Sequence, residues 1–166
     1  MPNVTEGRIR VVPARPSDAA PITTMIGELA QYERLSDTVR VTEPMVAEAL
    51  FGVRPAAEAI VGHWDDEPVA FAVYFTNFST FLGRPGLYLE DLFVRPAARR
   101  RGIGRVMLRY LARSCAERGY GRMEWAVLDW NESAIGFYKG LGAAAMSDWT
   151  VFRLTGEALT WLSEES

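Results

Sequence analysis

Apolar residues along this chain follow two rhythms. Ile22, Met25, Ile26 and Leu29 recur at helical spacing and predict a helix starting at Ser17 or Asp18. Pro21 is tolerated in its first turn, and Glu28-Leu29-Ala30-Gln31-Tyr32-Glu33 forms its end. Before it, Arg8–Val12 predicts a short strand stopped by Pro13. Thr42 and Pro44 open a second short helix that turns Val46, Ala49 and Leu50 inward and stops before Gly52 and Pro55. The runs Ala57–His63 and Pro68–Thr76 flank the polar turn Trp64-Asp65-Asp66-Glu67, so they should pair as a hairpin.

After a loop over Asn77–Gly83, Gly86–Val94 predicts a third long strand. Helix Ile103–Arg118, strand Met123–Leu128, helix Ser133–Lys139, strand Asp148–Leu154 and a short terminal helix then follow. Antiparallel strands first and a strand-helix-strand crossover later imply a mixed α/β sheet covered by helices. No repeat or linker divides the chain, so residues 1–166 read as one domain, with residues 1–7 as a disordered tail.

Composition narrows the function. A chain of 166 residues buries roughly 70% of its unfolded surface and needs neither disulfides nor metal to fold. The net charge of −3 gives no global electrostatic case for nucleic acid or an anionic membrane. Cys115 is the single cysteine and His63 the single histidine, which leaves no His/Cys metal constellation. His63 lies in the apolar run Ala59-Ile60-Val61-Gly62-His63 and reads as a strand-end histidine. No apolar stretch approaches the ~18–20 residues of a membrane span, and the polar start is no secretory signal, so a cytoplasmic protein is expected.

The arginine-rich turn after the third strand changes the picture. Ile103, Val106, Met107, Tyr110, Leu111, Ser114 and Cys115 form one helical stripe, with Arg105, Arg109, Arg113 and Glu117 opposite. The helix therefore starts near Gly102–Gly104, directly behind Arg99-Arg100-Arg101. A helix start offers unpaired backbone N–H groups, and glycine lets a ligand approach them, which suits phosphate. On the turn alone, a phosphate site and a solvated turn stand equally open. A dinucleotide fingerprint fails because Met107 occupies its third glycine position, and no P-loop sequence occurs. The pattern that survives is R-x-x-G-x-G after a strand.

That pattern, between a strand and a long helix, resembles the acetyl-coenzyme A signature of the GNAT superfamily of N-acetyltransferases. Tyr88–Gly104 (YLEDLFVRPAARRRGIG), Leu128–Ala143 (LDWNESAIGFYKGLGA) and Glu28–Glu33 (ELAQYE) are similar to the spermidine/spermine (diamine) acetyltransferase branch. Similar segments run from about Arg8 to Leu162. The resemblance implies a mostly antiparallel central sheet, a parallel pair splayed at the coenzyme site, and helices on both faces. It also implies acetyl-CoA as co-substrate, no metal, and a homodimer.

Acetyl transfer from a thioester to an amine needs a base for the amine proton, hydrogen-bond donors for the developing charge, and an acid for the departing thiolate. The resemblance assigns the acid to Tyr138 and the base to Glu90, acting directly or through water. Asp91 would orient a cationic amine, with Tyr32, Glu33 and Trp149 lining its site. The coenzyme would lie against the backbone of Phe93 and Val94, the turn Arg99, Arg100, Arg101, Gly102, Ile103, Gly104 and Arg105, Asn131, and Tyr138. Structural readings stand beside these. Tyr138 suits a core position next to Phe137, Glu90 and Asp91 suit ion pairs with nearby arginines, Tyr32 and Glu33 suit an exposed helix end, and Asn131 suits a helix cap.

Neighbouring residues on a strand point to opposite faces, so Glu90 and Asp91 reach one pocket only through a bulge. The expected activity is acetyl-CoA-dependent N-acetylation of a polyamine, a diamine or a lysine-like amino acid. An aminoglycoside or a protein N-terminus is the alternative acceptor, and a non-catalytic acyl-CoA-binding regulatory domain is the alternative class. Such a domain needs the coenzyme turn but not Glu90, Asp91 and Tyr138 together. Ser79-Thr80-Phe81 stands where animal members of the branch carry a tryptophan-containing segment, a departure that weighs against spermidine itself as the acceptor.

Overall fold

A computed structural model describes residues 3–165 of the protein. The chain divides into two units, residues 1–126 and 127–166, each described by itself. The first contains strands β1 (Val4–Glu6), β2 (Ile9–Pro13), β3 (Glu58–Trp64), β4 (Glu67–Ser79), β5 (Arg84–Val94) and β6 (Met123–Trp125). Its α-helices are α1 (Ala19–Glu33), α2 (Glu43–Phe51) and α3 (Ile103–Glu117). The second unit holds α4 (Glu132–Lys139) and α5 (Gly156–Glu164).

The six strands form one mixed sheet in sequence order. Strands β1 to β5 pair antiparallel, and β6 joins β5 in parallel through Leu87, Tyr88 and Leu89. The β3–β4 hairpin turns through Asp65 and Asp66, at φ 50° and 67°. Two successive left-handed residues match the right-handed twist of the flanking strands.

Helices cover both faces. Ile22, Met25 and Leu29 of α1 and Val46 and Leu50 of α2 pack with Val61, Phe71 and Phe93. Complete burial of Ile22 and Met25 contributes roughly 1.5–3 kcal/mol each. Gly62, the neighbour of Val61, faces the opposite side, where a Cβ would stand 3.0 Å from Met107 Sδ of α3. His63 lies buried within β3, and burial holds its imidazole below the ordinary value.

Four expectations change. Strand β4 continues to Ser79, which pairs with Arg84, so the loop expected over Asn77–Gly83 shortens to residues 80–83. Val4–Glu6 forms β1 rather than a disordered tail, paired with β2 and tied to α3 by an ion pair between Glu6 and Arg109; residues 1 and 2 lie outside the described residues. Strand β6 stops at Trp125 instead of Leu128. Residues 148–154, expected as a strand, form none among the described residues. Their apolar side chains are exposed, Val151 at 85% and Phe152 at 91%, and no neighbouring strand completes a hydrogen-bond ladder.

Candidate active site

The acidic pair sits at an irregularity in β5. Val73 of β4 lies opposite Asp91, and the next residue, Tyr74, lies opposite Leu89. Glu90 is therefore the extra residue of a bulge, and the alternation of faces shifts after it. Asp91 takes the face of Phe93 and Val73, the side covered by α1 and α2. Without the bulge it would face α3.

Burial first, and then the charges of Glu90 and Glu33, together push the Asp91 carboxyl up to about 6. Glu33, the last residue of α1, is also raised by burial. The two segments thus bring Glu33, Glu90 and Asp91 into electrostatic contact. Among the described residues, no ion pair or side-chain hydrogen bond engages any of the three. The first two arginines after the pair in sequence, Arg95 and Arg99, are committed elsewhere.

Arg95 is one of them. Its Nε and Nη2 donate to the Glu28 carboxylate at 2.8 to 3.1 Å, and its Nη1 donates to the Pro68 carbonyl at 3.0 Å. That fork fixes the last two turns of α1 to the end of β5. Arg99 donates from Nε to the Val94 carbonyl at 2.9 Å and lies 4.2 Å from the centre of the Tyr32 ring. Neither contact was readable from the sequence, because the partners of Arg95 and of the Arg99 guanidinium lie on α1, far away in the chain.

The turn itself has the backbone the glycines suggested. Gly102 caps α3 at φ 85°, and Arg100 is also left-handed at φ 63°. Arg101 lies 4.7 Å from the Trp64 ring, the distance at which Arg8 also meets that ring. No hydrogen bond, ion pair or ring contact engages Arg100 or Arg105 among the described residues. Both are exposed beside the first turn of α3, with Ile103 buried beneath and Gly104 half-buried. These four arginines therefore divide into two engaged and two available for an anion.

The outer edge of β5 opens at the acidic pair. Strand β6 pairs with Leu87–Leu89 only, leaving residues 90–94 without a strand partner on that side among the described residues. The Arg95 N–H donates to Val69 on the β4 side, so the N–H and carbonyl of Val94 face the open edge. An open edge can take an extended ligand as an added strand. The open edge of β5, the two free arginines and the left-handed Gly102 suit a long molecule with amides and phosphates.

In the second unit, Asn131 caps α4, its side-chain oxygen accepting from the Ala134 N–H at 3.3 Å. Tyr138 is half-buried on α4, its ring 5.5 Å from that of Phe137. Trp149 is 69% exposed, outside any helix or strand. Tyr32, Glu33, Glu90, Asp91, Phe93, Val94 and Arg99–Arg105 thus share the first unit, and Asn131, Tyr138 and Trp149 belong to the second.

The model of the acetyltransferase (GNAT) family matches residues 27–143. The chain is 32% identical to an L-ornithine N5-acetyltransferase of Arabidopsis thaliana, over 92% of this chain and 86% of that protein. It is 35% identical to a thialysine N-epsilon-acetyltransferase of Bos taurus, over 90% of this chain and 94% of that protein. Among solved structures, an integron cassette protein from V. cholerae superposes with a TM-score of 0.81 at 24% identity, over 96% of this chain and all of that one. With the mixed sheet and its single parallel pair, these matches identify the chain as a member of the GNAT family and an N-acetyltransferase.

Proposed function

We propose that the protein transfers the acetyl group of acetyl-CoA to a primary amine of a small cationic acceptor, a diamine, a polyamine or a lysine-like amino acid. The observation that carries this reading is the group Glu33, Glu90 and Asp91, which no cation neutralises, beside an open strand edge and an arginine–glycine turn. Glu33 and Asp91 are unpaired and partly buried, which is costly, and an ammonium ligand offsets that cost. The relatives named for ornithine and thialysine support a short acceptor with two nitrogens.

Bound acetyl-CoA supplies the activated thioester. In this chain, Arg100, Arg105 and the amides at Gly102–Gly104 hold its phosphates, while Val94 and Asn131 hold its amides; Phe93, expected beside Val94, turns its N–H and carbonyl toward β4 instead. Asp91 and Glu33 bind and orient the protonated amine. Glu90, exposed on the bulge, takes the amine proton through water, and the charge it keeps on Asp91's doorstep favours the cation there. Tyr138 gives its phenolic proton to the sulfur as the bond to the acetyl carbon breaks. Tyr32 and Trp149 line the acceptor site. A homodimer belongs to the same reading.

The test is a panel of amines with acetyl-CoA, read as free thiol. Ornithine, thialysine and short diamines should turn over well ahead of aminoglycosides and peptide N-termini. Coenzyme binding without thiol release across the panel would sink the enzymatic mechanism and favour a regulatory acyl-CoA-binding domain.

A further inference from the structure

We propose that Arg99 is a positioning residue that couples the coenzyme turn to the acceptor end of α1. The proposal rests on the reading above for the roles of the turn and of Tyr32 and Glu33. It goes beyond that reading in making the two sites interdependent through one side chain.

Arg99 is the last residue of the short segment leading from β5 into the turn, one position before the left-handed Arg100. Its side chain points back rather than outward. The Nε donates to Val94 at 2.9 Å, and the guanidinium lies 4.2 Å from the Tyr32 ring and 5.8 Å from the Phe93 ring. Phe93 is buried, so this stack is seated on the core. The Val94 carbonyl is on the open edge of β5, where an added strand would need it as acceptor. The guanidinium therefore occupies an acceptor that the coenzyme requires, while holding a tyrosine adjacent to Glu33.

A ligand that pairs with Val94, or presents phosphate at the turn, competes for Arg99. A phosphate is a stronger partner for guanidinium than a neutral carbonyl and a ring. When the turn fills, Arg99 moves to the anion and gives up its contact with the Tyr32 ring. The end of α1 is then free to close on an amine. Arg101 does not provide this link, because it sits on Trp64. Linkage makes the effect reciprocal: whatever factor the coenzyme applies to amine affinity, the amine applies to coenzyme affinity.

The experiment is hydrogen exchange over residues 29–34 with and without saturating coenzyme A, with binding followed by calorimetry. The intact protein should exchange roughly threefold or more faster there when the coenzyme is bound, a modest local opening. Arg99→Gln should exchange fast from the outset and respond no further, although it still binds coenzyme at higher concentration. Tyr32→Phe keeps the ring and should keep the response, whereas Tyr32→Leu should lose it. Arg100→Gln at saturation should respond like the parent. Binding with unchanged exchange in the parent, or a parental response in Arg99→Gln, overturns the coupling alone. Absence of coenzyme binding overturns the assignment of the turn and the coupling with it.

Discussion

Arg95 grips the Glu28 carboxylate with Nε and Nη2 while a third nitrogen holds the Pro68 carbonyl, so one side chain joins α1, β4 and β5. Each partner is about a third exposed, at 33% and 34%, so the pair contributes no more than about 1 kcal/mol to stability. Its larger effect should be on placement, because Tyr32 and Glu33 follow Glu28 by one helical turn. Glu28→Gln and Arg95→Lys should each raise the amine KM several-fold with kcat nearly unchanged. A double-mutant cycle on KM measures this. Additive effects would mean the pair does not position the acceptor site.

Asp91 has a folded-state value of about 6 against an ordinary 3.8. It therefore favours the folded state when protonated and costs stability as pH rises from about 4 to about 6. Asp91→Asn should be more stable than the parent at pH 7.5, by ~1–3 kcal/mol, in thermal or urea unfolding. The same substitution should raise the amine KM at least tenfold. In the parent, the amine KM should climb as pH falls below about 6, and that limb should vanish in the variant.

Tyr138→Phe removes one hydroxyl from α4. A general acid of this kind contributes about 10²–10⁴-fold, so kcat should fall well over tenfold. Coenzyme affinity should stay within about threefold and the unfolding midpoint within about 2 °C, since little buried surface changes. Unchanged turnover would remove Tyr138 from the chemistry.

The four arginines of the turn should not behave alike. Arg100→Ala and Arg105→Ala should raise the acetyl-CoA KM and flatten its salt dependence, because both are free to meet phosphate. Arg101→Ala should mainly loosen the Trp64 contact and change KM less. Gly102→Ala places a Cβ at φ 85°, costing about 1 kcal/mol, and should weaken coenzyme binding as well. Steady-state kinetics across a salt series separates the three outcomes.

Much of the architecture was legible because it is local. The stripe Ile22, Met25, Leu29 and the stripe Ile103, Val106, Met107, Tyr110 set two helices through spacing alone, and both are buried as expected. Asp65-Asp66 between two apolar runs specified the hairpin through turn chemistry. The limits of this reading lie where structure depends on distant partners. Strand β1 is only three residues long and is held by β2 and by Arg109 of α3, so nothing within residues 1–7 announces it. Residues 148–154 are rich in β-branched and aromatic side chains, but that preference is insufficient where no ladder forms among the described residues.

The acid pair shows the division most clearly. Two neighbouring carboxylates in an apolar strand, an arginine–glycine turn and a tyrosine on a later helix were chemistry visible in residue types and their order. Which way the acids face was not, because a bulge is a property of two paired strands and depends on how Val73 and Tyr74 align with Asp91 and Leu89. The raised Asp91 likewise needs Glu33, which arrives from α1 across the sheet face. Residue identity decided what chemistry was available. Pairing, burial and the long-range arginine contacts decided which of those groups stay uncompensated.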